Sequence, residues 1–361
     1  MHPFLPKIIY VDEAVSSLPL TRRVLAHFEG IKPQFIKSPD ELKIPLSLDE
    51  AKETLLITRQ KGEAIKSCQG MGDYVCCNYL TLSFISNCHF ECTYCILQDY
   101  LKNNPIMTFY ANVEEILESL ESHLQKTPET IFRVGTGELS DSLALDDITH
   151  LSEELVPFAA KQKNLILELK TKSDRIDNLL NLDHQGRTVI SWSVNPSSYG
   201  RLEELKCAPL EDRLQAARTV ADTGYPVGFH FDPLLSFPDW KERYRELVEQ
   251  IHDLFRPSEI AWVSLGSLRF TPNLKKIIDE RFPQSRLLTG EIFPSKDGKM
   301  RYFREVREEL YTVVKGYIEA AFPKVPNYLC METKEVWKET YGTVPLNNMS
   351  LEKELSARFM V

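Results

Sequence analysis

The chain alternates short apolar runs with longer stretches in which apolar residues recur at helical spacing. Two of the helical stretches span residues 202–222 and 240–254. The apolar runs predict six strands, at residues 79–86, 130–135, 165–170, 189–194, 226–231 and 261–268. Strands that alternate with helices are typical of parallel β/α units. The pattern therefore predicts an α/β fold, and its six repeats suggest a partial (β/α)6 barrel.

The regions outside the six repeats divide the chain into three parts. We expect residues 1–75 to form an N-terminal extension with short α/β pieces of its own, and residues 76–290 to form the barrel. Residues 291–361 are expected to form a hairpin and a mostly helical tail. In barrels of this kind the reacting groups lie at the C-terminal ends of the strands. Functional residues are therefore expected in the segments that follow each predicted strand.

The composition narrows the class of protein. The chain is 43% hydrophobic and 26% charged, which is enough apolar sequence for a substantial core. No apolar run reaches the roughly 18 residues that a membrane span needs. The start at Met1-His2-Pro3 does not begin a signal peptide. We expect a soluble, cytoplasmic protein with no membrane partner.

Three of the eight cysteines lie in a short motif after the first predicted strand. Cys88, Cys92 and Cys95 have the spacing C-x3-C-x2-C, which gives three thiolates to a four-iron cluster and leaves one iron without a protein ligand. Structural zinc normally takes four ligands in two separated pairs, and His89 is too close to Cys88 to complete such a set easily. A disulfide framework is not expected in a chain of this length without a signal peptide. The spacing favours an iron–sulfur cluster.

This motif resembles the cluster loop of the radical S-adenosylmethionine (SAM) superfamily, which reads C-x3-C-x-aromatic-C after the first barrel strand. Within the superfamily the chain is most similar to the spore photoproduct lyase family. The likeness spans residues 8–305. It rests on the stretches IYVDE at 9–13, LPLTRR at 18–23, YCILQ at 94–98, KTK at 170–172, GYPVGF at 224–229 and RFT at 269–271.

The resemblance implies a barrel enzyme of the carbon–carbon lyase class, with a [4Fe-4S] cluster and SAM as cofactors. In such an enzyme the reduced cluster cleaves SAM to a 5′-deoxyadenosyl radical, which abstracts hydrogen from the substrate. The implied substrate is a thymine-dimer photoproduct in DNA, and the implied partners are damaged DNA and an electron donor such as flavodoxin or ferredoxin. Two alternatives stay open. One is radical modification of an RNA, a protein or a metabolite, and the other is a non-catalytic iron–sulfur or DNA-binding protein.

The segment after the second predicted strand resembles the glycine-glycine-glutamate motif that holds the amino group of SAM in the superfamily. It reads GTGELSDS at residues 135–142, and the resemblance assigns SAM contacts to Gly137, Glu138 and Ser140. Glycine lets a backbone approach a ligand closely, and a carboxylate pairs with an ammonium group. A plain strand-to-helix turn is the alternative interpretation of the same residues.

The third and fourth predicted strands also end in polar residues. By resemblance, Lys172 would pair with the SAM carboxylate, whereas Ser193 and Asn195 would hydrogen-bond to its ribose or methionyl part. A lysine at the end of a strand is otherwise an ordinary solvated side chain.

Candidate substrate contacts follow the fifth and sixth predicted strands. His230 and Asp232 are two residues apart and hence lie on one face of a strand, which makes them candidates for the wall of a substrate pocket. Arg269 is a candidate contact to a substrate phosphate or to SAM. The alternatives are a structural histidine and a structural ion pair.

The net charge of −9 argues against a uniformly basic DNA-binding surface. Basic residues nevertheless cluster around a predicted hairpin turn at Asp297-Gly298. They are Lys296, Lys299, Arg301, Arg304 and Arg307. A solvated face mixed with glutamates is one interpretation. The resemblance implies the other, a hairpin that grips substrate phosphates, with Lys299 and Arg301 as contacts.

Two departures from the family pattern concern the radical chemistry. The family carries a hydrogen-donating cysteine just before the Ser-Asp pair of the second-strand loop, and the matching stretch here, Gly137-Glu138-Leu139-Ser140-Asp141, has no cysteine. The family also carries a tyrosine after the third cluster cysteine, where this chain has Ile96. Of that tyrosine pair only Tyr94 is present, and it is the candidate catalytic residue. Either another donor replaces the cysteine, or the protein acts on a different substrate.

The remaining cysteines are expected to be structural. Cys68, Cys76 and Cys77 suit a tetrahedral metal site poorly because two of them are adjacent. We predict that these three are buried thiols, and that the isolated Cys207 and Cys330 are structural.

Overall fold

The structure is a computed structural model that describes residues 3–42, 47–68 and 74–359. Its strands are β1 (Ile8–Asp12), β2 (Gln34–Ile36), β3 (Thr54–Thr58), β4 (Ile65–Ser67), β5 (Tyr74–Val75), β6 (Leu80–Leu82), β7 (Ile85–Ser86), β8 (Glu91–Cys92), β9 (Met107–Tyr110), β10 (Phe132–Gly135), β11 (Leu165–Thr171), β12 (Thr188–Ser193), β13 (Glu204–Leu205), β14 (Val227–Leu234), β15 (Ile260–Ser267), β16 (Arg269–Phe270), β17 (Ile292–Pro294), β18 (Met300–Tyr302), β19 (Asn327–Leu329) and β20 (Glu332–Thr333).

The α-helices are α1 (Pro19–His27), α2 (Leu48–Lys52), α3 (Leu97–Tyr100), α4 (Val113–Gln125), α5 (Asp146–Thr149), α6 (Leu151–Lys161), α7 (Ser197–Glu203), α8 (Leu210–Asp222), α9 (Trp240–Leu254), α10 (Pro272–Arg281), α11 (Arg304–Ala321), α12 (Lys334–Tyr341) and α13 (Asn348–Ser356). No helix in the described segments combines the length and apolarity needed to cross a membrane.

Eight strands form one sheet, in the order β19-β15-β14-β12-β11-β10-β6-β4. The six from β6 to β15 are mutually parallel and keep their chain order across the sheet. Strands β11, β12 and β15 are buried along almost their whole length, as expected of a parallel sheet that is covered on both faces. Strand β19 extends the sheet in parallel at one edge, and β4 pairs antiparallel at the other. The predicted α/β fold with a partial (β/α)6 barrel is confirmed.

Two predicted elements differ from the structure. The apolar run 79–86 is two strands, because β6 pairs with the barrel strand β10 whereas β7 pairs with β9 in another sheet. The periodic stretch 202–222 is interrupted between α7 and α8, where Pro209 precedes the first residue of α8. A proline disfavours helical geometry in the residue before it. The interruption leaves room for β13, which pairs with β8 in the cysteine motif.

A second sheet lies on the N-terminal side and has the order β2-β1-β3-β9-β7. Strands β1, β2, β3 and β9 are parallel, and helix α1 follows β1. The division at residues 75 and 290 stays a proposal. Strand pairing crosses both positions, because β9 joins the N-terminal sheet and β19 joins the barrel sheet.

The C-terminal region is mostly helical, as predicted, and it packs against the barrel. Its last helix, α13, brings the Glu352 carboxylate to 4.0 Å from the guanidinium of Arg133, which is buried on β10. Arg133 also lies under the ring of Trp262, at 4.5 Å from the ring centre. Burial outweighs the attraction of Arg133 and raises the pKa of Glu352 to about 7.

Candidate active site

A cavity of about 840 Å³ opens where the barrel strands end. Its wall includes Cys95 from the cysteine motif, Glu138 after β10, Lys170 at the end of β11, Asp232 on β14 and Arg269 on β16. Segments that are distant in sequence therefore meet at the C-terminal edge of the sheet, where a barrel of this class carries its chemistry.

The cluster loop, residues 88–95, is held by side chains from other parts of the chain. Lys52 on α2 donates a hydrogen bond of 2.5 Å to the backbone oxygen of Phe90 and lies 3.4 Å from the Glu91 carboxylate. Arg281 on α10 pairs with the same carboxylate at 3.0 Å. Because β8 also pairs with β13, the loop is fixed from three sides.

Local hydrogen bonds set the path of the backbone through the cluster loop. Asn87 has a positive φ of 72°, and its side-chain oxygen accepts a hydrogen bond of 2.8 Å from the N–H of Cys88. The N–H of Cys95 donates to the Cys92 carbonyl at 3.1 Å. Gln98 donates to the same carbonyl, also at 3.1 Å. These contacts fix the points from which the three thiols project.

The cluster loop packs directly against the loop that follows β10. Cys88 and Cys92 are buried in one apolar group, and Cys95 packs against it. Ala144 belongs to the same group and Leu139 packs against it, and both come from the segment after β10. The cysteine motif and the predicted SAM motif are therefore neighbours in space.

The cysteine motif offers three thiols, the number that a four-iron cluster with one open iron takes from the protein. Within the described ranges, no group of three or more His, Cys, Asp or Glu side chains is placed to hold a single metal ion. A four-iron cluster needs a wider spacing of its ligands than a single metal ion does, because each thiolate binds a different iron. Cys92 is the thiol best prepared for that role. A hydrogen bond from Cys207, with the two sulfurs 3.5 Å apart, and the charge of Lys172 lower the pKa of Cys92.

Tyr94 joins the cluster loop to a buried ionic network centred on Glu204. The Tyr94 hydroxyl donates to the Glu204 carboxylate. Arg213 pairs with this carboxylate at 2.6 Å, and the Asn195 amide donates to it at 3.1 Å. Burial opposes ionisation of Glu204, but the charges of Arg213 and Lys172 and the hydrogen bonds from Tyr94 and Asn195 together outweigh it, so the pKa of Glu204 is lowered. Lys172 lies 5.6 Å from the centre of the Tyr94 ring.

Two glycines allow the close approach of strands at the predicted SAM motif. A Cβ at Gly135 would lie 1.3 Å from the hydroxyl oxygen of Tyr79, so this tyrosine can occupy its place only beside glycine. A Cβ at Gly137 would lie 3.1 Å from the Cβ of Lys170. The segment after β10 therefore lies flat against β11.

Asp141 holds the segment after β10 against β11 by hydrogen bonds, and the sequence pattern does not identify it as a functional residue. One carboxylate oxygen accepts hydrogen bonds from the N–H groups of Leu143 and Ala144 at 3.0 and 2.9 Å and from the Thr171 hydroxyl at 2.6 Å. The other accepts from the N–H of Lys172 at 2.6 Å. Its partners Thr171 and Lys172 are about thirty residues away in the chain, so local sequence does not reveal these contacts. The Ser-Asp pair of the motif is the one local signal for Asp141, because such residues often bond to nearby backbone N–H groups.

The predicted SAM contacts occupy different positions in the site. Gly137 and Glu138 line the cavity, and Glu138 is exposed to it. Ser140 is buried and, among the described residues, its hydroxyl has no hydrogen-bond partner. Ser193 and Asn195 are buried at the end of β12, behind this wall. Asn195 also accepts a hydrogen bond of 3.1 Å from Tyr244.

His230 is part of a buried hydrogen-bond group around Glu168, a second residue that the sequence did not single out. A Glu168 oxygen lies 2.8 Å from Nε2 of His230, and it also accepts from the indole N–H of Trp262 at 3.0 Å. His230 and Ser191 favour the ionised form of Glu168, so its pKa is lowered although burial opposes this. Burial and Lys170 lower the pKa of His230. Both side chains line the cavity.

Asp232 and Arg269 form an ion pair in the cavity wall. The guanidinium reaches the two carboxylate oxygens at 3.3 and 3.2 Å. A Cβ at Gly266 would lie 2.7 Å from Cγ of Asp232, so glycine makes room for the pair. Lys299 lines the cavity beside them, and burial together with the charge of Arg269 lowers its pKa. The rim therefore carries positive charge beyond what Asp232 neutralises.

Arg301 differs from the expectation for the basic hairpin. The turn at Asp297-Gly298 joins the antiparallel strands β17 and β18, as predicted. Arg301 on β18 is only 1% exposed and pairs with Asp297 at 2.6 Å and with Glu332 at 3.6 Å. The structure does not support Arg301 as a phosphate contact, because its charge is neutralised in the interior.

Four cysteines outside the motif line the cavity, namely Cys68, Cys76, Cys77 and Cys330. Cys76 and Cys77 are buried as predicted, whereas Cys68 is partly exposed. Cys330 was expected to be only structural, but Arg269 donates to its sulfur at 3.4 Å inside the cavity. All eight cysteines lie in the described segments and are free thiols.

Comparison with known proteins gives consistent results. The chain matches the sequence model of the spore photoproduct lyase family over residues 4–329. It is 27% identical to the spore photoproduct lyase of Bacillus subtilis over 339 residues, which covers 89% of this chain and 97% of that protein. It is 24% identical to the spore photoproduct lyase of Clostridium acetobutylicum over 311 residues, which covers 84% of this chain and 90% of that protein.

Solved structures of spore photoproduct lyases share the fold. One, complexed with a dinucleoside spore photoproduct, has a TM-score of 0.80 and 26% identity, covering 91% of this chain and 100% of the other. Another, a double mutant with bound AdoMet and dinucleoside spore photoproduct, has a TM-score of 0.81 at the same identity and coverage. Because the family model spans the cluster loop, the barrel and the cavity wall, the chain belongs to the spore photoproduct lyase family.

Proposed function

We propose that this protein is a radical SAM lyase that repairs spore photoproduct, the cross-linked thymine dimer. The observation that carries the proposal is the meeting of three features at one cavity of about 840 Å³. These are the cluster thiol Cys95, the free carboxylate of Glu138 and a cationic rim. The relatives in which SAM and the photoproduct dinucleoside are bound have the same fold over their whole length.

When bound, the [4Fe-4S] cluster and SAM supply the electron transfer and the 5′-deoxyadenosyl radical that abstracts a hydrogen atom from the substrate. The chain's own residues hold and orient these groups. Cys88, Cys92 and Cys95 are the cluster ligands, and their loop is fixed by contacts from α2 and α10. The open coordination position is left to SAM because the motif provides only three thiolates.

The second-strand loop holds the methionyl part of SAM. Glu138 pairs with the ammonium group, Gly137 lets the ligand lie against the backbone, and the buried Ser140 hydroxyl has a free hydrogen-bonding capacity for it. Lys172 is a partly buried cation near the cluster loop and pairs with the carboxylate. Ser193 and Asn195 are buried at the end of β12 and support this wall from behind, Asn195 through its bonds to Glu204 and Tyr244.

The opposite wall receives the substrate. Arg269 and Lys299 offer positive charge to the phosphodiester that joins the two thymidines, and Asp232 orients Arg269 through their ion pair. His230 and Glu168 hold the wall rigid from behind. Tyr94 belongs to the cluster loop and lines the cavity, where its ring would help to exclude solvent.

A photoproduct within duplex DNA has to leave the base stack to enter a cavity of this kind. The partners proposed are therefore damaged DNA and a low-potential electron donor such as flavodoxin or ferredoxin. Free thiols and an oxygen-sensitive cluster suit a reducing compartment, the cytoplasm.

The test is anaerobic reconstitution of the cluster, followed by incubation with SAM, a reductant and a synthetic spore photoproduct dinucleotide. Conversion to thymidylyl-thymidine is the expected result. Glu138→Gln should weaken SAM binding by about one to two orders of magnitude, because it loses a charge-assisted contact of roughly 1.5–3 kcal/mol. Glu129→Gln is the matched control, since Glu129 is exposed and precedes β10 at its other end. Robust SAM cleavage without any conversion would refute the proposed substrate.

A further inference from the structure

Repair of the photoproduct is an isomerisation, so a hydrogen atom taken from the substrate has to be matched by one that is given back. The requirement rests on the proposed function. The loop after Glu138 offers Leu139 and Ser140 at this point. Neither is a good hydrogen-atom donor, because their C–H and O–H bonds are stronger than the S–H bond of a thiol. The donor is therefore to be found elsewhere on the cavity wall.

Four thiols line that wall, and three of them face one another. Cys76 lies beside Cys68 and Cys77 in the cavity wall. Cys77 is buried and lies close to Arg133 and Glu352. The neighbours of this trio are thus its own thiols and the pair of Arg133 and Glu352.

Cys330 is placed differently. It follows β19, and its backbone N–H donates a hydrogen bond of 2.7 Å to the Leu265 carbonyl, which fixes its position beside β15. Its sulfur accepts a hydrogen bond of 3.4 Å from Arg269, the same guanidinium that pairs with Asp232. A substrate phosphodiester held by Arg269 and Lys299 would lie directly beside this thiol.

We propose that Cys330 returns the hydrogen atom to the substrate radical in this protein. The S–H bond of Cys330 breaks homolytically and a C–H bond forms on the methyl carbon of one thymine, which leaves a thiyl radical on Cys330. The thiol is restored when the thiyl radical takes one electron from the low-potential electron donor and one proton from solvent, and 5′-deoxyadenosine leaves as a product. Each turnover therefore consumes no thiol.

The state of the thiol agrees with this role. A hydrogen-atom donor has to be present as S–H, because a thiolate has no hydrogen to give. Burial raises the pKa of Cys330 to about 12, although the nearby Arg269 acts in the opposite direction. Cys330 is therefore protonated at neutral pH and remains in reach of the cavity.

The experiment compares the reconstituted wild type with Cys330→Ser and Cys330→Ala in D2O, using a photoproduct dinucleotide with deuterium or tritium at the abstracted position. Serine keeps an acceptor for Arg269 but has no S–H. Both variants should lower the yield of clean thymidylyl-thymidine by about tenfold or more and form side products. A substrate-radical signal should accumulate in their electron paramagnetic resonance spectra. In the wild type, the S–D form of Cys330 should place solvent deuterium in one thymine methyl.

Cys77→Ser is the matched variant and should keep the yield and the methyl deuterium of the wild type. Iron content and dinucleotide affinity, measured without SAM, should be equal in all four proteins, which separates hydrogen return from folding and binding. Wild-type yield and deuterium in Cys330→Ser would overturn the assignment, and so would their loss in Cys77→Ser alone. If the proposed function itself is wrong, no deuterium or tritium should pass from the substrate to 5′-deoxyadenosine, even in the wild type.

Discussion

Removing the Asp141 carboxylate should loosen the second-strand loop and thereby weaken SAM binding. The carboxylate accepts four hydrogen bonds at 2.6–3.0 Å, two within its own turn, one from Thr171 on β11 and one from Lys172 just after it. A hydrogen bond to a charged group contributes about 1.5–3 kcal/mol, but bonds that share one carboxylate are not additive. Asp141→Ala should therefore cost roughly 3 kcal/mol of unfolding free energy. Because Glu138 is three residues away on the same loop, the dissociation constant of SAM should rise about tenfold or more.

The matched variant is Asp141→Asn, which keeps the shape of the side chain. Its oxygen can still accept from Leu143, Ala144 and Thr171, but its NH2 group would face the backbone N–H of Lys172, two donors at the 2.6 Å contact. We expect an intermediate loss of stability and affinity. Chemical denaturation and isothermal titration with SAM measure both. Wild-type SAM affinity in a folded Asp141→Ala protein would refute this prediction. It would show that the second-strand loop keeps its position without the hydrogen bonds to Asp141.

Three further outcomes test other parts of the molecule. Cys92→Ala should lose bound iron and SAM cleavage whereas Cys68→Ala keeps both, and full iron loading of Cys92→Ala would contradict the ligand assignment. The raised pKa of Glu352, about 7, means that the folded protein holds this proton more tightly than the unfolded chain. The proton on Glu352 therefore contributes roughly 3 kcal/mol to the free energy of unfolding, in full below the ordinary glutamate pKa, and this contribution is lost as the pH rises through 7. Glu352→Gln should flatten the fall of the melting temperature over this pH range. An unchanged slope of melting temperature against pH would exclude this role of Glu352. Lys299→Ala should weaken dinucleotide binding and reduce its salt dependence, whereas Arg301→Ala should lower the melting temperature. If Arg301→Ala weakened binding and Lys299→Ala lowered the melting temperature, the positions assigned to the two residues would be contradicted.

Local pattern predicted the parts of the fold whose neighbours are close in the chain. The helix at Trp240–Leu254 has the expected bounds, because its apolar residues recur on one buried face. The six barrel strands were recognisable because each is an apolar run that becomes buried on both faces. The run 79–86 was misread as one strand, since nothing in its composition tells which sheet each half joins.

The cluster cysteines stand out in the sequence because their chemistry depends on a fixed short spacing, and their assignment as ligands stays a prediction. Asp141 and Glu168 do not stand out, because their partners lie on other strands and each residue alone resembles any surface carboxylate. Arg301 shows the opposite error. Its basic neighbours suggested an exposed patch, but Asp297 and Glu332 draw the guanidinium into the interior.

The anchoring of the cluster loop bears on how the metal centre is built in the cell. In small zinc proteins the metal supplies most of the folding energy, and the chain without metal is unfolded. Here Lys52, Arg281 and the pairing of β8 with β13 hold the loop through protein contacts alone. The polypeptide should therefore finish folding first and then accept iron and sulfide as a preassembled unit at the cavity mouth. The cluster would then be inserted into an already folded protein. Loss of the cluster to air should therefore be reversible when iron and sulfide are supplied again, and the polypeptide should stay folded.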